Sequence, residues 1–482
     1  MSGYRLRFTD KILDNVHGFI EFTDVENAII GLPVFKRLQS IKQLGMTNWI
    51  FPGAEHTRFI HSLGVMHVAD QMAVQLGYSD EQRQLVRLAG LLHDIGHYPL
   101  SHVGERAYKN CGNKTESLLR DHRRDVQNEL SQLEKDTVFY MQEATNPFHH
   151  ERITEQVIRQ DEEIRQIIET YCGGSEWIQI DNICSIITGN VERNPALSGL
   201  VQLMHSEMDA DRIDYILRDA TFSGTSYGSF ELGLLLRNLS RTTYHGAEII
   251  GVHPKGIAIA DQFLMNRYYA YTQVFFNRHV SVLEFMAQSL SGVFVEHGDS
   301  EFPSPSGLLK AVERHGEDTE YLYFTDRAFW DSLHHVTLPY GSLEARFQQR
   351  LLRYQELDLT EEREISVNFS STDRLTEELM THPIYQNFIH EREGVLPLLY
   401  MERFTKHVPR MEYEGCLERL AASGRSLSEG EAMRCKIRRL QEGITILEEG
   451  KEPILLCDSP ASLMSQLYHM RICIMREYRL PE

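Results

Sequence analysis

The sequence predicts a mainly α protein, a helical core followed by a smaller α+β region at the C-terminal end. Three observations carry that expectation. Over residues 62–76 apolar side chains recur at Leu63, Met66, Ala69, Ala73 and Leu76, close to the 3.6-residue period of a helix. Residues 81–92 repeat the pattern and become almost wholly apolar from Leu88 to Leu92, as a helix buried on every side would. Runs with strand character are short and fall mainly near 248–259 and 443–457. At 482 residues the chain can bury a large core and exceeds one ordinary small domain.

Taken in order, Gly96, reinforced by Pro99, ends the helix predicted over 81–92. Residues 110–146 interleave Lys, Arg, Glu and Asp between apolar helices and read as an exposed insertion or lid. An amphipathic helix over 153–171 stops at Gly173 and Gly174. Residues 200–218 predict a further helix, and 221–229, rich in Gly, Ser and Thr, a loop. A short hairpin is expected around His253, Pro254, Lys255 and Gly256, then a long helix from 261 to about 290. The stretch 298–307 holds two prolines and three serines, which places a boundary between a core of residues 1–297 and a C-terminal region of residues 298–482. Beyond it, 342–357 and 418–440 predict helices, the latter breaking at Gly424. Two short strands follow over 443–457, and a closing helix over 459–479.

Composition narrows the function. Lys and Arg total 49 against 69 Asp and Glu, a formal net charge of −20. A broad nucleic-acid binder needs a positive footprint, so that class is disfavoured, while a small basic pocket is not. No apolar run reaches the ~18–20 residues of a membrane span, and residues 1–10 lack a signal-peptide core. The seven cysteines are scattered without a Cys-x-x-Cys pair, as reduced thiols of a cytoplasmic protein are.

Of the 22 histidines, six lie between His56 and His102. His93, Asp94, His97 and His102 crowd the end of the apolar 81–92 helix. Imidazole and carboxylate together are ligands for divalent metals. His61 opens a helix one turn after Arg58, whose guanidinium can clamp phosphate. Between Glu207 and Asp219 a partly apolar helix carries Asp211, Arg212, Tyr215 and Asp219; Asp211, Tyr215 and Asp219 stand at four-residue spacing on one face. Buried carboxylates there want a metal or a cation. His150 and Glu151 add a possible acid or base.

In combination and in order, these segments resemble the HD-domain phosphohydrolases, and within them the deoxynucleoside triphosphate triphosphohydrolases, the branch that includes the sterile-alpha-motif HD-domain enzyme. The resemblance spans about residues 12–290. It rests on Val16 to Ile20, Phe35 to Leu38 with Ile41 to Gly45, Phe51 to Ala54, the His61 segment, the His93-Asp94 pair, His150-Glu151 and Asp209 to Asp219. No sterile-alpha-motif domain is expected ahead of a pattern that starts near residue 12. The resemblance implies an HD-domain helical core and a divalent metal (Fe, Mn, Mg or Zn) held by His61, His93, Asp94 and Asp211. His102, oriented by Glu105, matches the family's base or proton relay, and His97 and His150 match two further active-site histidines. Arg58, Arg212 and Arg267 match phosphate ligands, with Arg212 standing where the family usually has Lys. Gln43 and Asp219 would hold the sugar 3′-hydroxyl, Leu44 would pack where a ribose 2′-hydroxyl lies, and Tyr215 would pack against sugar or phosphate. Phe276 and Asn277 depart from the family's usual Tyr and His.

The implied reaction is hydrolysis of a dNTP at the α-phosphorus to deoxynucleoside and tripolyphosphate. The implied partners are the dNTP and further copies of the chain, as a dimer or tetramer, with no membrane and no nucleic acid. Members activated by nucleotides recognise guanine through an Asp and an Arg. Gly31 and Gln39 stand at those positions, so activation by that route is not expected. Two alternatives stay open: an HD-domain phosphodiesterase or phosphatase acting on another nucleotide, and a nucleotide-sensing or nucleic-acid-binding protein with little catalysis. The basic strip from Arg434 to Arg439 keeps the second in view.

Overall fold

A computed structural model describes residues 4–109, 149–191, 194–296, 303–313, 323–368, 394–422 and 427–481. The charged stretch 110–146 lies outside these residues. An antiparallel hairpin opens the fold, β1 (Phe8–Asp14) against β2 (Gly18–Thr23), with Ile12 opposite Ile20. Asp14 closes its turn by accepting the backbone N–H groups of Val16 and His17, both at 2.9 Å. Gly18, at φ 72°, supplies the left-handed residue this turn needs.

The helices Arg58–Gln75 and Asp80–Leu92 form the centre. The first is buried around most of its circumference; the second starts on a Ser79 capping box with Gln82. They pack closely because Gly90 has no side chain: a Cβ there would meet the Met66 backbone at 3.0 Å. Beneath them Arg87 is fully buried, bonded to Glu26 at 2.6 and 2.7 Å and to Asp70 at 3.0 Å. The helix His150–Gln160 meets the turn after Leu92, where Thr154 Oγ1 accepts the Gly96 N–H at 3.0 Å and donates to the His93 carbonyl at 2.9 Å.

Several expected helices are interrupted, each at a residue that caps a new one. The 153–171 helix breaks at Asp161, which accepts the Ile164 N–H and starts the helix Glu162–Cys172. The 200–218 helix becomes Ser198–Gln202 and Ala210–Ser223, the second capped by Asp209. The long helix after 261 is Ile257–Ala270, a π-helical turn Tyr271–Phe275, and Arg278–Glu296.

Two sequence expectations are corrected. The hairpin near 248–259 turns earlier: β3 (Leu239–Tyr244) pairs β4 (Ala247–Val252) through His245 and Gly246, both at positive φ. His253 to Gly256 instead starts a helix, because Pro254 suits its first position. The closing helix expected over 459–479 is confined to Met464–Leu467, and the rest of its length from Met470 is a strand. After β5 (Asp358–Asn368), β6 (Val395–Arg403), β7 (Thr445–Ile446) and β8 (Ile454–Leu455), the chain ends in β9 (Met470–Arg479), the centre of the sheet β5-β9-β6. β-branched Ile472 and Ile474 favour extension there, and two partner strands override the helical reading.

The sheet β3-β4-β7-β8 joins residues 239–252 to the C-terminal region, Val252 pairing in parallel with Ile446. Both hydrophobic cores take residues from either side of residue 297. One runs from Ile20 to Ile474; the other gathers Met46, Leu100 and Leu283 with Phe329, Phe347 and Tyr478. Among the described residues no helix is long and apolar enough to cross a membrane. The strip from Arg434 to Arg439 lies on the helix Glu429–Glu442 and is largely engaged: Arg439 is buried on the Val408 carbonyl, Arg438 pairs with Glu442, and Lys436 reaches Tyr244.

Breaking one member of the buried Arg87 network leaves Glu26 and Asp70 without their cation. Arg87→Met is expected to cost about 3–5 kcal/mol of stability, read from the midpoint of urea denaturation. A loss under 1 kcal/mol would show that the network is not structural.

Candidate metal and phosphate site

His61, His93 and Asp94 bring one ligand atom each within 4.8 Å of one another, two from the ends of neighbouring helices and one from the turn. His61 Nε2 lies 3.0 Å from Asp211 Oδ1 and 3.9 Å from Asp94 Oδ2. His93 Nε2 lies 3.5 Å from Asp94 Oδ1 and 3.9 Å from Asp211 Oδ1. The four residues expected to form the metal quartet therefore converge.

The donor set fits a divalent ion by an observation independent of that expectation. Both histidines are fixed from behind: His61 Nδ1 donates to Asp214 Oδ2 at 2.7 Å, and His93 Nδ1 to the Gly90 carbonyl at 2.8 Å. Both Nε2 atoms are buried; that of His93 has no hydrogen-bond partner, and that of His61 faces the Asp211 carboxylate. A ring held at one nitrogen by a carboxylate or carbonyl, with the other bare, is how proteins present imidazole to a metal. Burial pushes His61 down, but Asp211 and Asp214 outweigh it and lift the ring to about 10. A metal must displace that proton.

Arg58 is buried beside the quartet. It donates to Asp94 Oδ2 at 2.6 Å and to Ser101 Oγ at 2.9 Å. Next to it lies a second group: His97, His102, Glu105 and His150. Glu105 is its hub, accepting from His102 at 3.0 Å and His150 at 3.3 Å, with Lys109 at 3.2 Å. Burial pushes Glu105 up, yet its histidine partners hold it well below the usual carboxylate range, so it stays ionised. His97 stacks on His150 at 4.6 Å, and burial and Arg58 keep it neutral. Its Nδ1 accepts the Tyr98 N–H at 2.9 Å, so the proton sits on Nε2, a buried donor with no partner.

A third corner forms where residues 41–44 run beside 56–58. Gln43 N–H donates to the His56 carbonyl at 3.0 Å, and Arg58 N–H to Ile41 at 2.9 Å. Gln43 Oε1 is buried and unpaired, and Leu44 is half-buried beside it. Asp219 accepts from His56 Nε2 at 2.8 Å. Tyr215 packs against Phe275, 6.3 Å between ring centres.

The expected phosphate arginines are committed elsewhere. Arg212 bonds Asp209 and the Ser206 carbonyl. Arg267 is fully buried and donates to Glu402 Oε1 at 3.1 Å and the Arg403 carbonyl at 3.0 Å. Phe276 packs on Tyr400, and Asn277 caps the His279 N–H. Gly31 and Gln39 are exposed.

Sequence reading missed Asp214, His17, Arg218 and His56. Asp214 accepts from His17 at 2.6 Å and from Arg218 at 2.8 and 2.9 Å, as well as from His61. The signal existed: Asp214 follows Asp211 by three residues and precedes Arg218 by four, so a helix puts it at the back of the ligand face. His56 had no local signal, because its partner is 163 residues away.

Two outcomes follow from this shell. Asp214→Asn should weaken Mn²⁺ binding about 10- to 100-fold, read by calorimetry; unchanged affinity would detach Asp214 from the metal. Because binding displaces the His61 proton, affinity should rise between pH 6 and 8 with measurable proton release. An affinity flat across that range would contradict the assignment.

Comparison with known proteins gives the arrangement its family. Residues 58–216 match the HD domain model. The chain is 30% identical over 270 residues to the uncharacterized protein YwfO of Bacillus subtilis, covering 55% of this chain and 51% of that one. It is 44% identical over 99 residues to human deoxynucleoside triphosphate triphosphohydrolase SAMHD1, covering 19% of this chain and 16% of that one. The chain spans about half the length of the first curated relatives it matches. A phosphohydrolase from Bacteroides thetaiotaomicron superposes over 98% of this chain and 99% of its own, with a TM-score of 0.61 and 19% identity, which shows the shared fold. The helices from Arg58 onward, the His93-Asp94 turn and the approach of Asp211 thus fall in the segment that matches the HD domain, and part of the chain is similar to the deoxynucleoside triphosphate triphosphohydrolases.

Proposed function

We propose that the chain is a metal-dependent hydrolase that converts dNTPs to deoxynucleoside and tripolyphosphate. The observation that carries this reading is the set of unpaired buried groups around one locus. His93 Nε2 is a bare nitrogen, His61 Nε2 meets only the neighbouring Asp211 carboxylate, His97 Nε2 is a bare donor, and Gln43 Oε1 is a bare acceptor. Buried polar atoms are normally satisfied, so three left open in one region mark groups kept for a ligand. When bound at His61, His93, Asp94 and Asp211, a divalent ion supplies Lewis acidity and positive charge against the phosphates.

The chain's own residues do the rest. His97 donates through Nε2 to a phosphate oxygen. His102, turned by ionised Glu105, takes up or returns a proton at Nε2. Asp219, itself oriented by His56, accepts the proton of the sugar 3′-hydroxyl, and the Gln43 carboxamide hydrogen-bonds the same hydroxyl. Leu44 offers no partner to a 2′-hydroxyl, and an unpaired hydroxyl there costs about 1–3 kcal/mol, which selects deoxyribose. The proposal includes cytoplasmic assembly into a homo-oligomer. Phe8, Ile12, Leu13 and Phe19, all exposed on the β1–β2 hairpin, support assembly, and sedimentation equilibrium tests it.

Purified protein with Mn²⁺ or Mg²⁺ should release tripolyphosphate from dNTPs and much less from NTPs, resolved by ion chromatography. Nucleoside monophosphate or single phosphates as first products would overturn the reading. His93→Ala should abolish both turnover and retained metal, measured by elemental analysis on the same sample.

A further inference from the structure

We propose that Asp326, a residue outside the HD domain, is a positioning residue for this reaction: its carboxylate sets the spacing between the segment bearing Gln43 and Leu44 and the turn that presents His102. The inference rests on the function proposed above.

Asp326 begins the helix Asp326–His335. A carboxylate at that position commonly serves its own helix. Here both oxygens are given to other parts of the chain. Oδ2 accepts the Lys42 N–H at 2.9 Å, and Oδ1 accepts the Leu100 N–H at 2.7 Å. Those segments lie 58 positions apart and belong to different corners of the site.

The turn it holds is strained. Leu100 and Ser101 both adopt left-handed backbone, φ 54° and 57°, without being glycine. Such residues persist where the surroundings over-determine them, and they cluster at functional sites. His102 follows immediately. Ser101 Oγ donates to the Lys42 carbonyl at 2.6 Å and accepts from Arg58 at 2.9 Å, so the turn and the 42–44 segment are also bonded to each other. Asp326 closes that pair from behind.

The attachment is reinforced nearby. Arg37, fully enclosed, donates to the carbonyls of Ile95 at 2.7 Å, His97 at 3.0 Å and Phe324 at 2.5 Å. The 324–326 segment is therefore fastened to the His93–His102 loop twice, directly through Asp326 and through Arg37 as a bridge. Asp326 itself is buried, and burial pushes its carboxyl up to about 6 against the pull of the two amide donors. An apolar residue would avoid that cost and would lose both amide contacts.

The test compares the full-length protein with Asp326→Asn, which is nearly isosteric and keeps a single acceptor. Hydrogen exchange is followed by mass spectrometry, and turnover is followed with dATP and ATP. Peptides over 40–45 and 97–103 should both exchange on the order of tenfold faster, while those over 61–75 and 210–223, and the Mn²⁺ retained per chain, stay unchanged. For dATP, kcat should fall about 10- to 100-fold, as small displacements of catalytic groups do, and the preference for dATP over ATP should narrow. Asp326→Ser, which removes the buried charge and leaves a small hydroxyl, repeats both readouts, so the outcome does not hang on the folding of one variant. Unchanged exchange in either peptide, or turnover within twofold of wild type, would overturn the proposal. Should the wild-type protein release no tripolyphosphate from dNTPs, the function falls on its own, and the exchange measurement still decides whether Asp326 joins the two segments.

Discussion

The carboxylate of Asp214 is the contact on which the metal site depends. It is fully buried where the helices Arg58–Gln75 and Ala210–Ser223 cross, and it receives His61, His17 and both ends of the Arg218 guanidinium. Removing an ion from water costs several kcal/mol, so a carboxylate stays there only with its lone pairs filled, as these are. The geometry also explains Gly64: a Cβ at that position would sit 1.9 Å from Asp214 Oδ1. With the crossing fixed, His61 has one tautomer and one direction. Asp211, on the same helix, then faces its Nε2, and the tight packing of Asp80–Leu92 on Arg58–Gln75 delivers His93 and Asp94.

The proposed polyanionic substrate would need local positive charge in an acidic chain, and the arginines do not supply it freely. The arginines near the site are each tied to a carboxylate: Arg58 to Asp94, Arg212 to Asp209, Arg267 to Glu402. Paired guanidiniums contribute little net field at a distance. What stays open around the locus is the Nε2 donor of His97 and the bare Nε2 of His93.

Legibility in the sequence followed the range of the interactions. The helices Arg58–Gln75 and Asp80–Leu92 were visible because their periodicity is local and their burial strong. Capping breaks at Asp161 and Asp209 were missed because each interrupts an apolar pattern that otherwise continues across it. β9 was read as a helix because a strand with partners on both sides need not alternate: Ile474, Met475, Arg476 and Tyr478 are all buried. In the site, the quartet was legible from residue types that have few other reasons to cluster. Its supports were not, since Asp214 with His17 and Asp219 with His56 join positions 197 and 163 residues apart.

The segment that matches the HD domain holds the four converging residues but does not complete their surroundings. Glu207, just before the Asp209 cap, is buried and accepts from Thr405 Oγ1 at 2.9 Å and from the Lys406 N–H at 2.7 Å. Arg267 reaches the carbonyls of Arg403 and Phe404, and Tyr268 stacks on Phe404 at 4.1 Å. The end of β6 is therefore docked against the start of the helix that carries Asp211 and Tyr215. On the opposite side, Phe324 and Asp326 are docked against the His93–His102 loop. Both contacts come from residues beyond 216, where the family match ends. A fold that hosts many chemistries varies its substrate through what is packed around a constant centre. In this chain the quartet with Asp214 behind it is that centre, and the segments packed around it are clamped by the C-terminal region from two sides.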